Sequence, residues 1–180
     1  ASKNIQRPGA QPLHMVSQLV ECVPNISEGR NLAVIESIVD AVRQTNGCTV
    51  LGVEPDHDYN RTVITFAGEP DCVMRGAIEL IKASVEHLDM RLHHGEHPRL
   101  GVVDVCPFVP LRGITMDACA KLARQVVDAL SHELDVPFFL YGAAASSQER
   151  VMLSDLRRGE YEGLEARLTD GPCDHNESTR

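Results

Sequence analysis

The segment 89–101 (DMRLHHGEHPRLG) concentrates side chains that can carry out acid–base chemistry. Three of the chain's eight histidines, His93, His94 and His97, lie within its residues 93–99 together with the carboxylate of Glu96. Imidazole is the side chain best matched to proton transfer near neutral pH, and a neighbouring carboxylate stabilises its charged form. Arg99 could bind a substrate carboxylate through two parallel hydrogen bonds. These residue types predict a proton-transfer site with an anion clamp.

Two other interpretations of this segment stay open. In the first, it is a solvated polar loop whose histidines have no function. In the second, His93 and His97, which are four residues apart, ligate zinc. Gly95 and Pro98 disfavour the helix that would align the two rings, and neither an HExxH order nor a CxxC pair completes a tetrahedral set. We therefore expect no metal.

The segment 54–61 (EPDHDYNR) is a second polar cluster. Within eight residues it combines three acids, a histidine, an amide and a guanidinium. Asp58 and Asn60 are residues that stabilise tight turns through side-chain-to-backbone hydrogen bonds, so part of the cluster has a purely structural explanation. Arg61 is different, because it begins a β-branched run and can point across a sheet.

Composition limits the classes of protein to which the chain can belong. Its 180 residues are 43% hydrophobic and 24% charged, which is typical of one globular domain. The 17 basic and 26 acidic residues give a net charge of −9, which argues against a nucleic acid partner. No apolar run reaches the roughly 18 residues that a membrane span requires.

The cysteine spacing and the polar ends of the chain predict its domain limits and location. None of the six cysteines forms a CxxC pair, which favours reduced thiols in a cytoplasmic protein over a disulfide framework. We expect residues 1–16 to be a disordered leader and the polar residues 169–180 to be a disordered tail. The ordered domain is then 17–168.

Hydrophobic periodicity predicts the elements that position the two polar clusters. The predicted strands are 17–26, 48–53, 61–67, 102–109 and 137–142. The predicted helices are one capped by Ser27 or Asn31, then 71–88, one capped by Thr115 or Asp117 that runs to about Glu133, and 148–158. This order is a ferredoxin-like β-α-β-β-α-β sheet of the α+β class with an appended helix and strand. The helices would cover one face. Alternate residues of a strand point to opposite faces of the sheet, and both sets contain apolar residues here. The other face would therefore meet a second domain or subunit.

Four motifs together resemble one known family, the formiminotransferases. The motifs are LVECVPNISEGR (19–30), DYNRTVITFAG (58–68), HHGEHPRLGVVDVCPFVPLRG (93–113) and ELDVPFFLYGAAA (133–145). The chain is similar to the amino-terminal subdomain of that family from about Gln18 to Leu168, which is nearly the whole of its expected ordered domain.

The resemblance implies an activity. The family transfers the formimino group of N-formimino-L-glutamate to tetrahydrofolate in histidine degradation, with folate as co-substrate and no metal. Its catalytic histidine is the one in GEHPR, which is His97 here, and an acid that matches Glu54 assists it, although the family more often carries Asp there. Asn60 and Arg61 match the family's NR pair. We expect Arg99, Asn60 and Arg61 to bind substrate.

The family's transferase unit has two subdomains whose sheets face each other across the substrate groove, and this chain resembles the first of them. One hypothesis is that the chain is a transferase, or the catalytic half of one, which works as a homodimer or with a carboxy-terminal subdomain. The alternative is a non-catalytic folate-binding or interaction module. Retention of His97, Arg99, Asn60 and Arg61 favours the transferase.

Overall fold

A computed structural model of the chain describes residues 17–170 and 173–174. Its strands are β1 (Leu19–Cys22), β2 (Asn25–Ile26), β3 (Cys48–Asp56), β4 (Arg61–Gly68), β5 (Val103–Val105) and β6 (Phe108–Arg112). Its helices are α1 (Leu32–Arg43), α2 (Pro70–His87), α3 (Met116–Leu130), α4 (Leu153–Leu156) and α5 (Leu164–Asp170). The expected leader, 1–16, lies outside the described residues, as do 171–172 and 175–180 of the expected tail, while α5 extends past the expected boundary at 168.

The strands form one antiparallel sheet. β1 and β2 are two halves of its first strand, and β5 and β6 are two halves of its last, so the order across the sheet is β3, β4, then β1/β2, then β6/β5. Counted as four strands, this is the order 4-1-3-2 of two interleaved βαβ units. The predicted ferredoxin-like arrangement of the α+β class is confirmed, including the hairpin of β3 and β4.

The helices and one face of the sheet enclose a single hydrophobic core. From the sheet, the core takes alternate residues of β1 and β4, such as Val20, Cys22, Ile64 and Phe66. From α1, α2 and α3 it takes residues spaced three and four apart, which form one stripe on each helix: Ile35, Ile38, Val39 and Val42; Val73, Ala77, Leu80 and Ile81; Cys119, Leu122, Val126 and Leu130. The helices therefore cover one face, as predicted.

Local signals explain where the long helices begin. Asn31 caps α1 by accepting the backbone N–H of Val34 at 3.3 Å, and Thr115 caps α3 by accepting that of Ala118 at 3.2 Å. Pro70 occupies the first turn of α2, where its missing N–H costs nothing. No helix within the described ranges has the length and hydropathy needed to cross a bilayer.

The appended strand predicted at 137–142 does not form; this part of the prediction is wrong. Residues 137–141 have no regular secondary structure. The carboxylate of Asp174 accepts the backbone N–H of Leu140 at 2.8 Å, and the Asp174 N–H donates to the carbonyl of Phe138 at 2.7 Å. Backbone groups that a sheet edge would pair are thus satisfied by a residue distant in sequence. The appended helix exists as α3.

Candidate active site

His97 lies on the side of the sheet opposite the helices, which we call the open face. This face carries Glu21, Asn25, Glu54, Arg61, Val63, Thr65 and Ala67, because their neighbours in each strand point into the core. The His97 ring is 8% exposed, and its Nε2 lies 3.3 Å from Nδ2 of Asn25 in β2. The histidine of the GEHPR motif is therefore buried against the sheet, and the solvated-loop interpretation does not hold for it.

A hydrogen-bond network fixes the loop between α2 and β5 that carries His97, which we call the histidine loop. Arg99 donates its Nε–H to Nδ1 of His93 at 3.1 Å, so that nitrogen must be unprotonated when the bond forms. The other nitrogen of His93, Nε2, is then free to donate to the carbonyl of Asn60 at 2.8 Å. Both His93 and Arg99 are buried. Their role in this fold is to join the histidine loop to the hairpin.

Both polar atoms of the Asn60 side chain bind backbone groups. Its Oδ1 accepts the N–H of Gly29 at 2.9 Å, and its Nδ2 donates to the carbonyl of His94 at 2.9 Å. Its φ of 50° is the left-handed conformation that asparagine tolerates better than most residues. One amide thus connects three loops around the candidate site.

Gly95 allows the histidine loop to touch the hairpin. A Cβ atom at this position would lie 2.5 Å from the carbonyl oxygen of Tyr59 and 2.7 Å from Cβ of Asn60. Contacts this short do not occur, so any larger residue would push the two loops apart. The glycine of GEHPR therefore lets the backbone of the loop approach the backbone of the hairpin closely. This approach positions His97, two residues further along, beside the sheet.

Arg99 is also bound by two carboxylates from the carboxy-terminal region. Its Nη1 lies 3.1 Å from Oε2 of Glu160 and 2.9 Å from Oε2 of Glu162, and its Nη2 lies 2.9 Å from Oε1 of Glu162. The Arg99 guanidinium holds the pKa of Glu162 below its usual value. A substrate carboxylate would have to displace these two side chains to reach Arg99.

Arg61 differs from Arg99 in its protein partners. Its guanidinium lies 5.7 Å from the centre of the Tyr59 ring, and its Nε is buried without a hydrogen-bond partner among the described residues. In that same part of the chain it forms no ion pair. A buried donor with no partner is costly, so Arg61 is prepared for an anion or an acceptor that a ligand would supply.

The sheet register places Glu54 on the same face as Asn25. Glu54 pairs with Val63, and Val63 pairs with Asn25 on the next strand. Strands lie about 4.8 Å apart, so the two Cα atoms are roughly 10 Å from each other. Glu54 is exposed, and within residues 17–170 its carboxylate forms no hydrogen bond with His97. The structure therefore brings together His97, Asn60, Arg99 and the start of β4, and leaves Glu54 at the rim.

Burial lowers the pKa of His97 below its usual value of 6.5, because a desolvated ring resists charge. Nearby positive charges on Arg157 and Arg61 act in the same direction, while the negative charge of Asp104 opposes them. The ring is therefore neutral near pH 7. A neutral imidazole can accept a proton, which is what a general base requires.

The described part of the chain has a large cavity away from these residues and a smaller concavity beside them. A cavity of about 1020 Å³ with mainly apolar walls separates α3 and β6 from residues 136–144, and none of the predicted site residues lines it. A smaller one of about 510 Å³ is lined by His94, Arg99, Glu160 and Glu162 together with two glycines. No group of three or more His, Cys, Asp or Glu among the described residues is arranged to hold a metal ion.

Three polar residues near His97 escaped the sequence analysis. Asn25 belongs to the motif VPNISEGR, and alternation along β1 and β2 would have placed it on the open face. Asp104 is 9% exposed in β5 and forms an ion pair with Arg157, besides accepting the Leu100 N–H at 3.0 Å. Arg157 lies 53 residues further along the chain, so no local pattern connects the pair.

Comparisons with known proteins show the family to which the chain belongs. A family model described as the formiminotransferase domain, N-terminal subdomain, matches residues 19–178. Formimidoyltransferase-cyclodeaminase of Sus scrofa is 52% identical over 153 residues, which cover 85% of this chain and 28% of the relative. The protein of that name from Dictyostelium discoideum is 48% identical over 155 residues, covering 86% and 29%. Glutamate formimidoyltransferase of Streptococcus pyogenes serotype M1 is 41% identical over 155 residues, covering 86% and 52%.

The extent of these matches defines what the chain corresponds to. It spans less than a third of the two formimidoyltransferase-cyclodeaminases and about half of the glutamate formimidoyltransferase. The family model covers nearly all of the chain, including every residue of the candidate site. The chain therefore belongs to the formiminotransferase family and corresponds to its amino-terminal subdomain.

Proposed function

We propose that the chain contributes the general acid/base of a glutamate formimidoyltransferase, which moves the formimino group of N-formimino-L-glutamate to tetrahydrofolate. The observation that carries the proposal is His97, a buried and neutral histidine that the loop and hairpin hold on the open face. The names of the relatives supply the reaction, and histidine degradation is the pathway that its substrate implies.

The reaction needs one proton to leave and one to arrive. The N5 amine of tetrahydrofolate attacks the formimino carbon, and a tetrahedral intermediate forms. His97 takes the proton from N5 and then gives it to the nitrogen of glutamate as the old carbon–nitrogen bond breaks. One imidazole can serve both steps because it accepts and then donates the same proton. The imidazolium is a transient species, which fits a ring that is neutral at rest.

The charged ends of the substrate need cations, and the structure offers Arg61 more readily than Arg99. Among residues 17–170, the buried Nε of Arg61 on the open face has no hydrogen-bond partner, so a glutamate carboxylate would satisfy it. Arg99 and Asn60 are already occupied by protein groups, and we assign to them the positioning of the histidine loop. A fixed loop raises the effective concentration of the reacting groups.

Glu54 acts from the rim of the same face. Its carboxylate is exposed, and one more methylene than aspartate extends its reach towards the ring. When His97 becomes charged, a carboxylate that approaches it lowers the energy of the imidazolium. This role requires closure of the site around bound substrate.

The open face forms one wall of the substrate groove in this proposal. The second wall comes from a carboxy-terminal formiminotransferase subdomain, and a second copy of this chain in a homodimer is the other possibility. Val63 and Thr65 are half-buried in the centre of the face and would contact folate or the second wall.

The test is turnover of N-formimino-L-glutamate with tetrahydrofolate by the purified chain, alone and mixed with a carboxy-terminal formiminotransferase subdomain. We expect His97→Ala to reduce turnover by about 100-fold or more, because the general acid/base is lost. His94→Ala is the matched control, since this neighbouring ring is exposed; it should keep most of the activity. If substrate is not turned over by the chain alone or by the mixture, but the chain binds tetrahydrofolate, the chain is a non-catalytic folate-binding or interaction module instead.

A further inference from the structure

Asn25 is the hydrogen-bond partner of His97, and its side chain is only half satisfied. The residue is 6% exposed in β2, and its Nδ2 lies 3.3 Å from Nε2 of His97. Its Oδ1 is buried and has no hydrogen-bond partner among the described residues. Buried amide oxygens are almost always paired, so this orphan acceptor requires an explanation.

The orientation of the amide dictates the protonation of the ring. An amide nitrogen only donates, so Nε2 of His97 must accept and therefore carries no proton. The neutral ring then holds its proton on Nδ1. If Nε2 gains a proton, the contact with Nδ2 becomes one between two donors. A half-turn of the amide exchanges its nitrogen and oxygen, and Oδ1 then accepts the new N–H.

We propose that Asn25 is a positioning residue whose amide serves both protonation states of His97, donating to Nε2 of the neutral ring and accepting from it once the ring is charged. Its part in catalysis rests on the proposed function, whereas its effect on the ring does not. The unpaired Oδ1 is thus the acceptor held ready for the imidazolium.

The other groups around the ring do not replace this amide. Asp104 favours the charged ring, and Arg157, Arg61 and His93 favour the neutral one. The bond with Asn25 is the one that the described part of the chain makes to the His97 ring. Burial and these opposing charges determine whether the His97 ring is charged, and the amide determines which nitrogen of the neutral ring carries the proton.

Neither a carboxylate nor an apolar side chain can play both roles at this position. A carboxylate at residue 25 would accept but not donate, so it would favour a protonated Nε2 in every state of the ring. An apolar side chain of similar size would do neither. Both Asn25→Asp and Asn25→Leu should therefore abolish the preference for a proton on Nδ1, but only Asn25→Asp should also stabilise the charged ring.

The test is ¹⁵N NMR of the histidine rings in the full chain without substrate, titrated with acid. We expect neutral His97 in the wild type to carry its proton on Nδ1, the minor form of free histidine. Asn25→Asp should move the proton to Nε2 and raise the midpoint of titration by about one pH unit or more, as a close opposite charge does. Asn25→Leu should return the ring to the Nε2–H form without that rise.

Asn31→Asp is the matched control, because it adds the same charge at an exposed helix cap where Asp is equally suitable. It should leave the His97 midpoint unchanged. A wild-type ring with its proton on Nε2 would overturn the proposal without any variant, as would a tautomer and midpoint that are the same in wild type, Asn25→Asp and Asn25→Leu.

The pH profile of transfer by the chain with a carboxy-terminal subdomain separates this inference from the proposed function. Asn25→Asp should shift the acidic limb of the kcat profile upwards together with the NMR midpoint. A limb that stays in place while the midpoint moves contradicts the catalytic role of the amide. Absence of all transfer in the wild type would refute the proposed function, and the NMR titration would still decide what Asn25 does.

Discussion

Arg99 shows how a residue with the chemistry of a substrate clamp can serve the fold instead. Its guanidinium bonds one histidine and two glutamates, and its side chain is 7% exposed, whereas that of Glu162 is 66% exposed. The two ends of this ion pair are therefore unequal. Losing the arginine leaves Nδ1 of His93 buried without a donor, but losing the glutamate only frees part of the guanidinium for water.

We expect Arg99→Ala to reduce the free energy of unfolding by about 1–3 kcal/mol, the usual cost of a buried polar atom left without its partner. Glu162→Ala should cost less than about 1 kcal/mol, as exposed ion pairs do. Urea denaturation of the two variants measures both values. Equal losses would show that the ion pair, and not the His93 contact, carries the effect of Arg99.

The lowered pKa of His97 predicts the direction in which the free energy of unfolding changes with pH. Between its folded pKa and the usual 6.5, the unfolded chain binds more protons at this residue than the folded chain does. The free energy of unfolding should therefore fall as pH falls through about 6.5, and this contribution should level off below the folded pKa.

Denaturation of wild type and His97→Gln between pH 7.5 and roughly pH 5 measures this contribution. The variant should lose part of the pH dependence, since glutamine does not titrate. His57→Gln, at a highly exposed histidine in the hairpin tip, should keep the wild-type slope. Identical slopes for wild type and His97→Gln would contradict a lowered pKa at the buried ring.

At the scale of elements, the site depends on how closely one loop approaches one hairpin. The histidine loop follows α2, and the hairpin tip joins β3 to β4, so the two are distant in sequence. They meet where Gly95 lies against Tyr59 and Asn60, with the Asn60 bonds to Gly29 and His94 on either side.

Gly95→Ala should separate these loops, because its Cβ would have to occupy a position 2.5 Å from a backbone oxygen. We expect a loss of about 1–3 kcal/mol in the free energy of unfolding, typical of overpacking, together with reduced transfer. Gly101→Ala is the matched control, as nothing lies within 4 Å of its Cβ position. Comparable losses in the two variants would refute a special role for close approach at Gly95.

For the whole molecule, the decisive feature is a sheet whose three long helices, α1, α2 and α3, pack on one face. The other, open face carries the candidate site, and its central residues Val63 and Thr65 are half-buried among the described residues. Two-layer domains that present such a face bury it against another domain or subunit. This is the physical basis for a groove with two walls.

Thr65→Arg should weaken binding of a carboxy-terminal subdomain to the chain, because the charge lies at the centre of the open face. Ser37→Arg, exposed on the far side in α1, should bind as the wild type does. Sedimentation of the mixtures measures both, and sedimentation of the chain alone detects a homodimer. Undiminished binding by Thr65→Arg would mean that the second wall lies elsewhere.

The sequence by itself determined the elements and the residues of the family's motifs. The first helix, predicted to begin at Ser27 or Asn31, begins at Asn31, and α3, predicted to begin at Thr115 or Asp117, begins at Thr115. These starts and the β3–β4 hairpin depend on contacts between near neighbours in the chain, so local periodicity and capping predicted them to within these alternatives. The resemblance carried by GEHPR selected His97. Local signals failed at 137–142, where an apolar run predicts a strand but Asp174 takes its backbone bonds.

Only the tertiary structure decided what surrounds His97 and what each arginine does. Asn25 meets the ring across 72 residues, and Glu162 meets Arg99 across 63. Such contacts depend on strand register and loop packing, which no local pattern encodes. The same residue type therefore plays two different parts at Arg61 and Arg99. Among the described residues, Nε of Arg61 has no hydrogen-bond partner, whereas Arg99 is bound by His93, Glu160 and Glu162. Burial and partners, rather than side-chain identity, determine which charge a ligand can reach.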